Sequence, residues 1–167
     1  MHQMTESNLA AAFAGESQAH MKYMIFADQA EREGFANVAR LFRAISFAEQ
    51  AHATGHFRTM GNVGKTTENL GAAIAGETYE VTEMYPAFDA VAKLQEEKSA
   101  IRSIMAAWEA EKIHAGMYAN AKSAVDGGAD AQIGQIHVCS ICGHTGFGEA
   151  PDQCPVCRAK KEKFSTF

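Results

Sequence analysis

One acidic motif occurs twice in this chain of 167 residues, and it constrains the fold more than any other feature of the sequence. Each copy is a glutamate followed, 33 or 34 residues later, by a second glutamate that belongs to a Glu-x-x-His pair. Glu-x-x-His places both side chains on one helix face about a turn apart, so both can reach one metal ion. The repeat therefore predicts two helix pairs that form a pseudo-two-fold metal site. The copies are Glu16 with Glu49-x-x-His52, and Glu77 with Glu111-x-x-His114.

Helical periodicity extends over four long stretches that contain these motifs. The first two stop at Gly34 and Gly61, because glycine is the usual residue just past a helix C-terminus. Pro86 lies inside the third stretch and predicts a kink, since it gives no backbone donor to the preceding turn. Four helices with shorter connections predict a four-helix bundle. The predicted helices cover residues 5–33, 36–60, 67–94 and 97–125.

Carboxylates and imidazoles interrupt the apolar stripe of each predicted helix near its middle. A buried carboxylate is very costly unless it is paired or bound to metal, so several aligned ones require a cation. Oxygen and nitrogen ligands without thiolate suit iron or manganese, which predicts the di-metal site of a ferritin-like bundle. Glu80, three residues after Glu77, is predicted as a fifth carboxylate without a counterpart in the first half. Five carboxylates beside two divalent ions leave such a site close to neutral.

Two tyrosines are candidates for hydrogen bonds to these ligands. Tyr23 lies two turns from Glu16 on the same helix face. It is either a packed core aromatic or a phenol that hydrogen-bonds a ligand carboxylate. Tyr85 has the same two interpretations, but the neighbouring Pro86 leaves its direction open.

All four cysteines fall in the last 32 residues, as two Cys-x-x-Cys pairs eleven residues apart. In a reducing cytoplasm this clustering favours one tetrahedral metal site over a disulfide framework. The spacing alone allows zinc or a single iron. A redox-active di-metal site upstream favours iron, because an iron–tetrathiolate centre delivers electrons one at a time. The cysteines are Cys139, Cys142, Cys154 and Cys157.

The charge pattern excludes several classes of partner. The formal net charge is −5 and no Lys/Arg-rich run is present, which argues against nucleic acid and anionic membrane surfaces. No apolar stretch approaches the ~18–20 residues of a membrane span. The first residues do not form a secretory signal, so a cytoplasmic location is expected.

These motifs, in this order, resemble the rubrerythrin family over essentially the whole chain. The run Ala150–Cys157 also resembles the rubredoxin-like tail of that family. The resemblance implies a mainly α chain with a ferritin-like four-helix bundle followed by a small rubredoxin-like metal-binding domain. The predicted domains are residues 1–126 for the di-iron bundle, 127–135 for a linker and 136–167 for the rubredoxin-like four-cysteine iron domain.

The resemblance implies a non-haem peroxidase that reduces hydrogen peroxide to water. It implies two iron ions in a di-iron site and one iron ion in a rubredoxin-type tetrathiolate site. One iron would exchange Glu80 for His52 on reduction, and Tyr23 and Tyr85 match the family's tyrosines that hydrogen-bond the metal ligands. The implied di-iron ligands are Glu16, Glu49, His52, Glu77, Glu80, Glu111 and His114, of which Glu49 and Glu111 would bridge the metals.

The resemblance also implies partners. Electrons would come from an external electron-donating reductase or rubredoxin. The family forms head-to-tail homodimers, in which the rubredoxin centre of one chain feeds the di-iron site of the other. The sequence departs from the family at His137 and His144, where aromatic residues are usual. Both departures are expected to expose the iron–sulfur centre more and to alter its potential.

Two alternatives use the same residues. The first is a ferroxidase or iron-handling protein with oxygen as oxidant, against which the four-cysteine module argues, since iron storage needs no dedicated electron donor. The second is a zinc-ribbon protein with a structural metal in the bundle, which leaves the carboxylate repeat unexplained.

Overall fold

The computed structural model describes all residues from 1 to 167 and is mainly helical, as the periodicity predicts. Its contacts group the chain into two compact units, Met1–Gly64 and Lys65–Phe167. The division into residues 1–126, 127–135 and 136–167 stays a prediction about domains. The helices are α1 (Gln3–Arg32), α2 (Ala36–Thr59), α3 (Thr66–Tyr79), a π-helical turn (Glu80–Met84), α4 (Tyr85–Leu94) and α5 (Lys98–Asp126).

The first unit is a hairpin of α1 and α2. Gly34 ends α1 with a φ of 86°, and the N–H of Phe35 bonds the carbonyl of Ala30, as in a Schellman cap. Gly61 ends α2 in the same backbone region, with a φ of 76°. The two helix stops predicted at these glycines are therefore confirmed.

The second unit contains the other helices and a small sheet. The third predicted helix is divided by the π-helical turn, which directly precedes Pro86. Beyond α5, three short antiparallel strands form a sheet in the order β2-β1-β3. Cys139 ends β1, where it is opposite Phe164 of β3. The strands are β1 (Ile136–Cys139), β2 (Thr145–Phe147) and β3 (Phe164–Thr166).

Small residues form most of the helical core. In α1 and α2 the fully buried residues are four alanines and Ser46. Larger apolar side chains of the predicted inward stripes are half-buried, such as Phe13 and Phe42, or exposed. The predicted stripes are therefore only partly covered within the single chain. Exposed stripe residues include Val38, Ile45, Val91 and Tyr118. No helix is both long and apolar enough to span a membrane.

Candidate metal centres

The first carboxylate cluster lies within the hairpin of α1 and α2. Glu16 comes from α1, and Glu49 and His52 come from one turn of α2. The Nδ1 atom of His52 is 3.7 Å from Oε1 of Glu16 and 3.5 Å from Oε2 of Glu49. One ligand atom from each residue lies within 4.8 Å of the others, which suits a shared cation. The cluster is partly exposed, not buried as the sequence predicts.

Electrostatics in this cluster reflect two carboxylates held together. A side-chain hydrogen bond to Glu49 raises the pKa of Glu16, and burial and the charge of Glu49 act in the same direction. His52 and His56 oppose this shift through their positive charge. Without a cation, the Glu16 carboxyl therefore holds a proton more readily than an isolated one.

The second cluster repeats this arrangement in the other unit. Glu77 comes from α3, and Glu111 and His114 come from one turn of α5. The Nδ1 atom of His114 lies 2.7 Å from Oε2 of Glu111, and the ligand atoms of all three residues lie within 4.8 Å of one another. Each copy of the sequence repeat thus gathers its own Glu/Glu/His set, as the spacing predicts.

Negative charge is more concentrated in the second cluster. Burial, a hydrogen bond that the protonated Glu77 carboxyl donates to Glu111, and the charges of Glu111 and Glu80 raise the pKa of Glu77 to about 7. Burial also raises the pKa of Glu80, with the charge of Glu111 acting in the same direction. Glu80 therefore lies within electrostatic reach of this set, as the prediction of a fifth carboxylate requires. A bound cation would relieve the repulsion that raises both pKa values.

The two tyrosines have different surroundings. Tyr23 packs against Phe26 and Phe42, with ring centroids 6.3 and 6.1 Å away. Burial, and then the charges of Glu80, Glu111 and Glu77, raise the pKa of Tyr85. The role of Tyr85 beside the ligands stays a prediction. The role of Tyr23 as a hydrogen-bonding phenol stays a prediction.

The four cysteines come together in the C-terminal module. The sulfur atoms of Cys139 and Cys157 are 3.6 Å apart, and those of Cys142 and Cys154 are 3.5 Å apart. All four sulfur atoms lie within 4.8 Å of one another, and none forms a disulfide. Four converging thiols from two Cys-x-x-Cys turns fit a tetrahedral metal ion.

Backbone amides surround these sulfur atoms. Burial opposes ionisation of Cys154, but the N–H groups of Cys157 and Val156 and the neighbouring thiols outweigh it and lower its pKa to about 7. Burial raises the pKa of Cys142, against a hydrogen bond from the N–H of His144. Hydrogen bonds of this kind stabilise thiolates and thus favour a metal-bound state.

The four-cysteine module contacts α5 of its own chain through Thr145. This buried residue of β2 donates its hydroxyl hydrogen to the carbonyl of Gly143, at 2.9 Å. Its oxygen is also 2.9 Å from Nε2 of His114. The head-to-tail arrangement implied by the resemblance places the rubredoxin centre beside the other chain's ligands, whereas here the module already contacts a predicted ligand of the same chain.

His137, one of the two histidines at positions where aromatic residues are usual, is packed inside the four-cysteine module. His137 is buried, its Nδ1 lies 3.1 Å from the carbonyl oxygen of Gly148, and its ring packs against Phe164. Cys139 and Cys154 are 1% and 0% exposed. These two sulfur atoms are therefore shielded from solvent, and the expectation of a centre more exposed than is usual in the family stays a prediction.

The donor sets fit the metals that the sequence predicts. The carboxylate–imidazole clusters offer oxygen and nitrogen ligands to iron, and the four thiols offer a tetrahedral sulfur site. The contact of Thr145 could not be predicted from the sequence, since a hydroxyl 31 residues from His114 leaves no periodic signal. The π-helical turn was not predicted either, although the number of residues between each glutamate and its tyrosine contains a signal for it.

Comparison with known proteins extends over nearly the whole chain. The family described as Rubrerythrin matches residues 7–122, and the one described as Rubrerythrin, rubredoxin-like domain, matches residues 137–165. Rubrerythrin-2 of Clostridium acetobutylicum is 40% identical over 178 residues, covering 98% of this chain and 97% of that protein. Nigerythrin of Nitratidesulfovibrio vulgaris is 35% identical, covering 98% and 86%. The solved structure of fully reduced, all-ferrous nigerythrin aligns with a TM-score of 0.56 at 33% identity, covering 98% and 86%.

Proposed function

The chain belongs to the rubrerythrin family, and from this premise we propose that it is a non-haem peroxidase that reduces hydrogen peroxide to water. It is a di-iron protein of oxidative-stress defence, with a ferritin-like helical region and a rubredoxin-like domain. Its cofactors are a di-iron centre and one rubredoxin-type iron. The peroxidase reaction consumes two electrons and two protons for each peroxide and yields two waters.

The observation that carries the proposal is the link between the two kinds of ligand set. His114 hydrogen-bonds Thr145, and Thr145 hydrogen-bonds Gly143, which directly follows Cys142. A peroxidase needs an electron-carrying thiolate centre in contact with its carboxylate ligand set, because every turnover requires replacement electrons. An iron-storage function gives no reason for this attachment.

The proposed ligands come from both copies of the repeat. When bound, the iron pair supplies the two electrons that cleave the O–O bond, and the tetrathiolate iron supplies their replacements. The carboxylates balance the positive charge of the bound iron ions. His52 and His114 add neutral nitrogen donors to the ligand set. The proposed ligands are Glu16, Glu49, His52, Glu77, Glu80, Glu111 and His114 for the iron pair, and Cys139, Cys142, Cys154 and Cys157 for the single iron.

Proton supply is assigned to residues beside the ligands. Tyr85 keeps its phenolic proton at neutral pH, because burial and nearby carboxylates raise its pKa. It can therefore donate a hydrogen bond to an oxygen that gains negative charge during cleavage. Tyr23 is proposed for the same role in the first cluster, where it lies two turns from Glu16 on the same helix.

The proposed partners are an external reductase or rubredoxin and a second copy of the chain. A homodimer is supported by the apolar stripe of Val38, Leu41 and Ile45 on α2, whose side chains are 44%, 60% and 42% exposed. A stripe of this kind marks an interaction surface. The four free cysteines support a location in the reducing cytoplasm.

One preparation tests the proposal against both alternatives. Metal analysis is expected to find about three irons per chain, with the red colour of an iron–tetrathiolate centre. In stopped-flow mixing, peroxide is expected to reoxidise the fully reduced protein faster than oxygen does. Oxygen outpacing peroxide would favour the ferroxidase alternative, and zinc at the four cysteines would favour the zinc ribbon.

Replacement of Glu80 tests its role among the ligands. Glu80→Ala is expected to slow peroxide turnover about 10- to 100-fold while leaving the iron pair bound, because the other six ligands remain. Steady-state peroxide assays and metal analysis of the same sample measure both quantities. Glu83→Ala is the matched control, since Glu83 is an exposed glutamate of the same π-helical turn. Unchanged turnover in Glu80→Ala would remove Glu80 from the proposed site.

A further inference from the structure

The two halves of the repeat differ by one residue between glutamate and tyrosine. Tyr23 follows Glu16 by seven positions, and Tyr85 follows Glu77 by eight. Seven residues nearly complete two α-helical turns, whereas an eighth adds about 100° of rotation. In the second half, the π-helical turn absorbs the extra residue, since it holds one residue more than an α-helical turn. Tyr85 is thereby returned to the helix face of Glu77.

The π-helical turn leaves one backbone carbonyl, that of Val81, without a backbone donor. The N–H of Tyr85 bonds the carbonyl of Glu80, five residues back, in the π pattern. In an α pattern the same N–H would bond the carbonyl of Val81. The carbonyl of Val81 has therefore lost its α partner, and its π partner would be residue 86. That residue is Pro86, which has no N–H to give.

Trp108 of α5 supplies the missing donor. Its indole Nε1–H donates to the carbonyl of Val81 at 2.9 Å, in a partly buried contact. The competing α pattern would satisfy Val81 through Tyr85 but would leave the carbonyl of Thr82 without a donor, again because of Pro86. Each pattern thus leaves one carbonyl unpaired, and the indole pairs the one that the π pattern exposes.

We propose that Trp108 is a positioning residue, whose indole N–H selects the π-helical pattern and thereby sets Tyr85 on the face of Glu77. The inference rests on the proposed function, in which Glu80 and Tyr85 serve the di-iron site. Trp108 acts through its hydrogen bond to the carbonyl of Val81. Its ring also lies 4.9 Å from the ammonium of Lys112, which gives a contact that can be removed separately.

Three variants distinguish the effect of the Trp108 indole on the backbone hydrogen-bond pattern from the effect of Pro86. Trp108→Phe keeps an aromatic ring but removes the donor. Pro86→Ala restores an N–H at position 86 while Trp108 stays in place. The double variant Trp108→Phe/Pro86→Ala allows a complete α pattern, because Tyr85 can then bond Val81 and residue 86 can bond Thr82. Lys112→Met is the matched control, since it removes the cation at the same ring and leaves the N–H.

Crystal structures of the iron-loaded variants show the backbone hydrogen-bond pattern of this turn directly. Pro86→Ala and Lys112→Met are expected to keep the bond from Tyr85 N–H to Glu80. The double variant is expected to move this bond to Val81 and to rotate Tyr85 away from Glu77. Trp108→Phe alone is expected to speed amide hydrogen exchange in residues 80–85 by about tenfold, because one carbonyl is left unpaired in either pattern.

The double variant is expected to separate stability from turnover. A residue that only stabilises the fold would change both together. The double variant is expected to recover the unfolding midpoint that Trp108→Phe loses, yet its kcat for peroxide is expected to stay about tenfold or more below that of the wild type. A Tyr85–Glu80 bond retained in the double variant, or lost in Pro86→Ala, would overturn the inference. The hydrogen-bond pattern does not depend on activity, so a wild type without peroxidase activity would refute only the proposed function.

Discussion

At the scale of single residues, the hydroxyl of Thr145 fixes how His114 presents its ring. A hydroxyl has one hydrogen, and Thr145 gives it to the carbonyl of Gly143. Its oxygen can therefore only accept from Nε2 of His114, which makes that nitrogen the protonated one. Nδ1 lies 2.7 Å from Oε2 of Glu111, in a hydrogen bond whose proton a bound metal ion would replace. A hydrogen bond such as that from Nε2 to Thr145 raises the basicity of a ligand imidazole.

Removal of this hydroxyl should weaken metal binding. Thr145→Val keeps the size of the side chain and is expected to lower iron affinity at the carboxylate site about 10- to 100-fold. Thr145→Ser keeps the hydroxyl and is the matched control. Competition with a chelator, followed by metal analysis, measures the affinity of both variants. Equal affinities in the two would show that the hydroxyl does not orient His114.

The raised pKa of Glu77 predicts a pH dependence for the metal-free protein. Its pKa is about 7 in the folded chain against 4.5 for the ordinary group, so the folded state binds this proton more tightly than the unfolded state. The resulting stabilisation is complete below about pH 4.5 and is lost as the pH rises to about 7. Denaturant unfolding across this range is expected to show the loss, and Glu77→Gln is expected to reduce the slope. Iron-loaded protein should lack this trend, because the metal ion takes the place of the proton.

At the scale of the elements, β2 is held closely against a buried imidazole. A Cβ atom added at Gly146 would lie 2.6 Å from Nε2 and 2.8 Å from Cε1 of His137. The ring cannot move away freely, because it is packed against Phe164. The histidine at position 137 thus requires a glycine opposite it in the sheet, where the two residues are paired.

Gly146→Ala is accordingly expected to destabilise the four-cysteine module by about 1–3 kcal/mol. Gly134→Ala is the control, since nothing lies within 4 Å of the added Cβ atom there. Thermal unfolding followed at the absorption of the iron–tetrathiolate centre reports on this module. A loss of stability of the same size in both variants would point to the glycine backbone and not to the contact with His137.

Most elements could be predicted from the sequence because their signals are local. Gly34 and Gly61 stop their helices where expected, and the helix predicted from Ala36 ends at Thr59, one residue before the predicted Met60. The π-helical turn was missed because its cause is spread over distant residues. Pro86 alone predicts a kink, and only the indole of Trp108, 27 residues from Val81, makes the π pattern favourable.

The site divides in the same way. Each Glu/Glu/His set follows from helical spacing alone, since all its members lie on regular helices at fixed intervals. The degree of burial of these ligand sets and of the apolar stripes could not be predicted from helical spacing. Periodicity identifies the face that an apolar stripe occupies, but not how many neighbouring helices a single chain provides to cover it.

At the scale of the whole molecule, the uncovered stripe of α2 predicts self-association. Leu41→Glu places a charge at its centre and is expected to weaken the dimer at least about 30-fold. Gln50→Glu adds the same charge at an exposed position on another side of α2 and serves as the control. Sedimentation of the iron-loaded proteins over a range of concentrations gives both dissociation constants. A Leu41→Glu protein that dimerises like the wild type would place the interface elsewhere.

The contact between Thr145 and His114 also has a kinetic consequence. Both residues belong to the compact unit Lys65–Phe167, so the thiolate cluster and one carboxylate set are in contact within a single polypeptide. Electron passage between them is then a first-order process, whose rate constant stays the same on dilution. The chain would keep this step working at low abundance, when encounters between separate molecules become rare, and only its dependence on the external reductant would remain second-order.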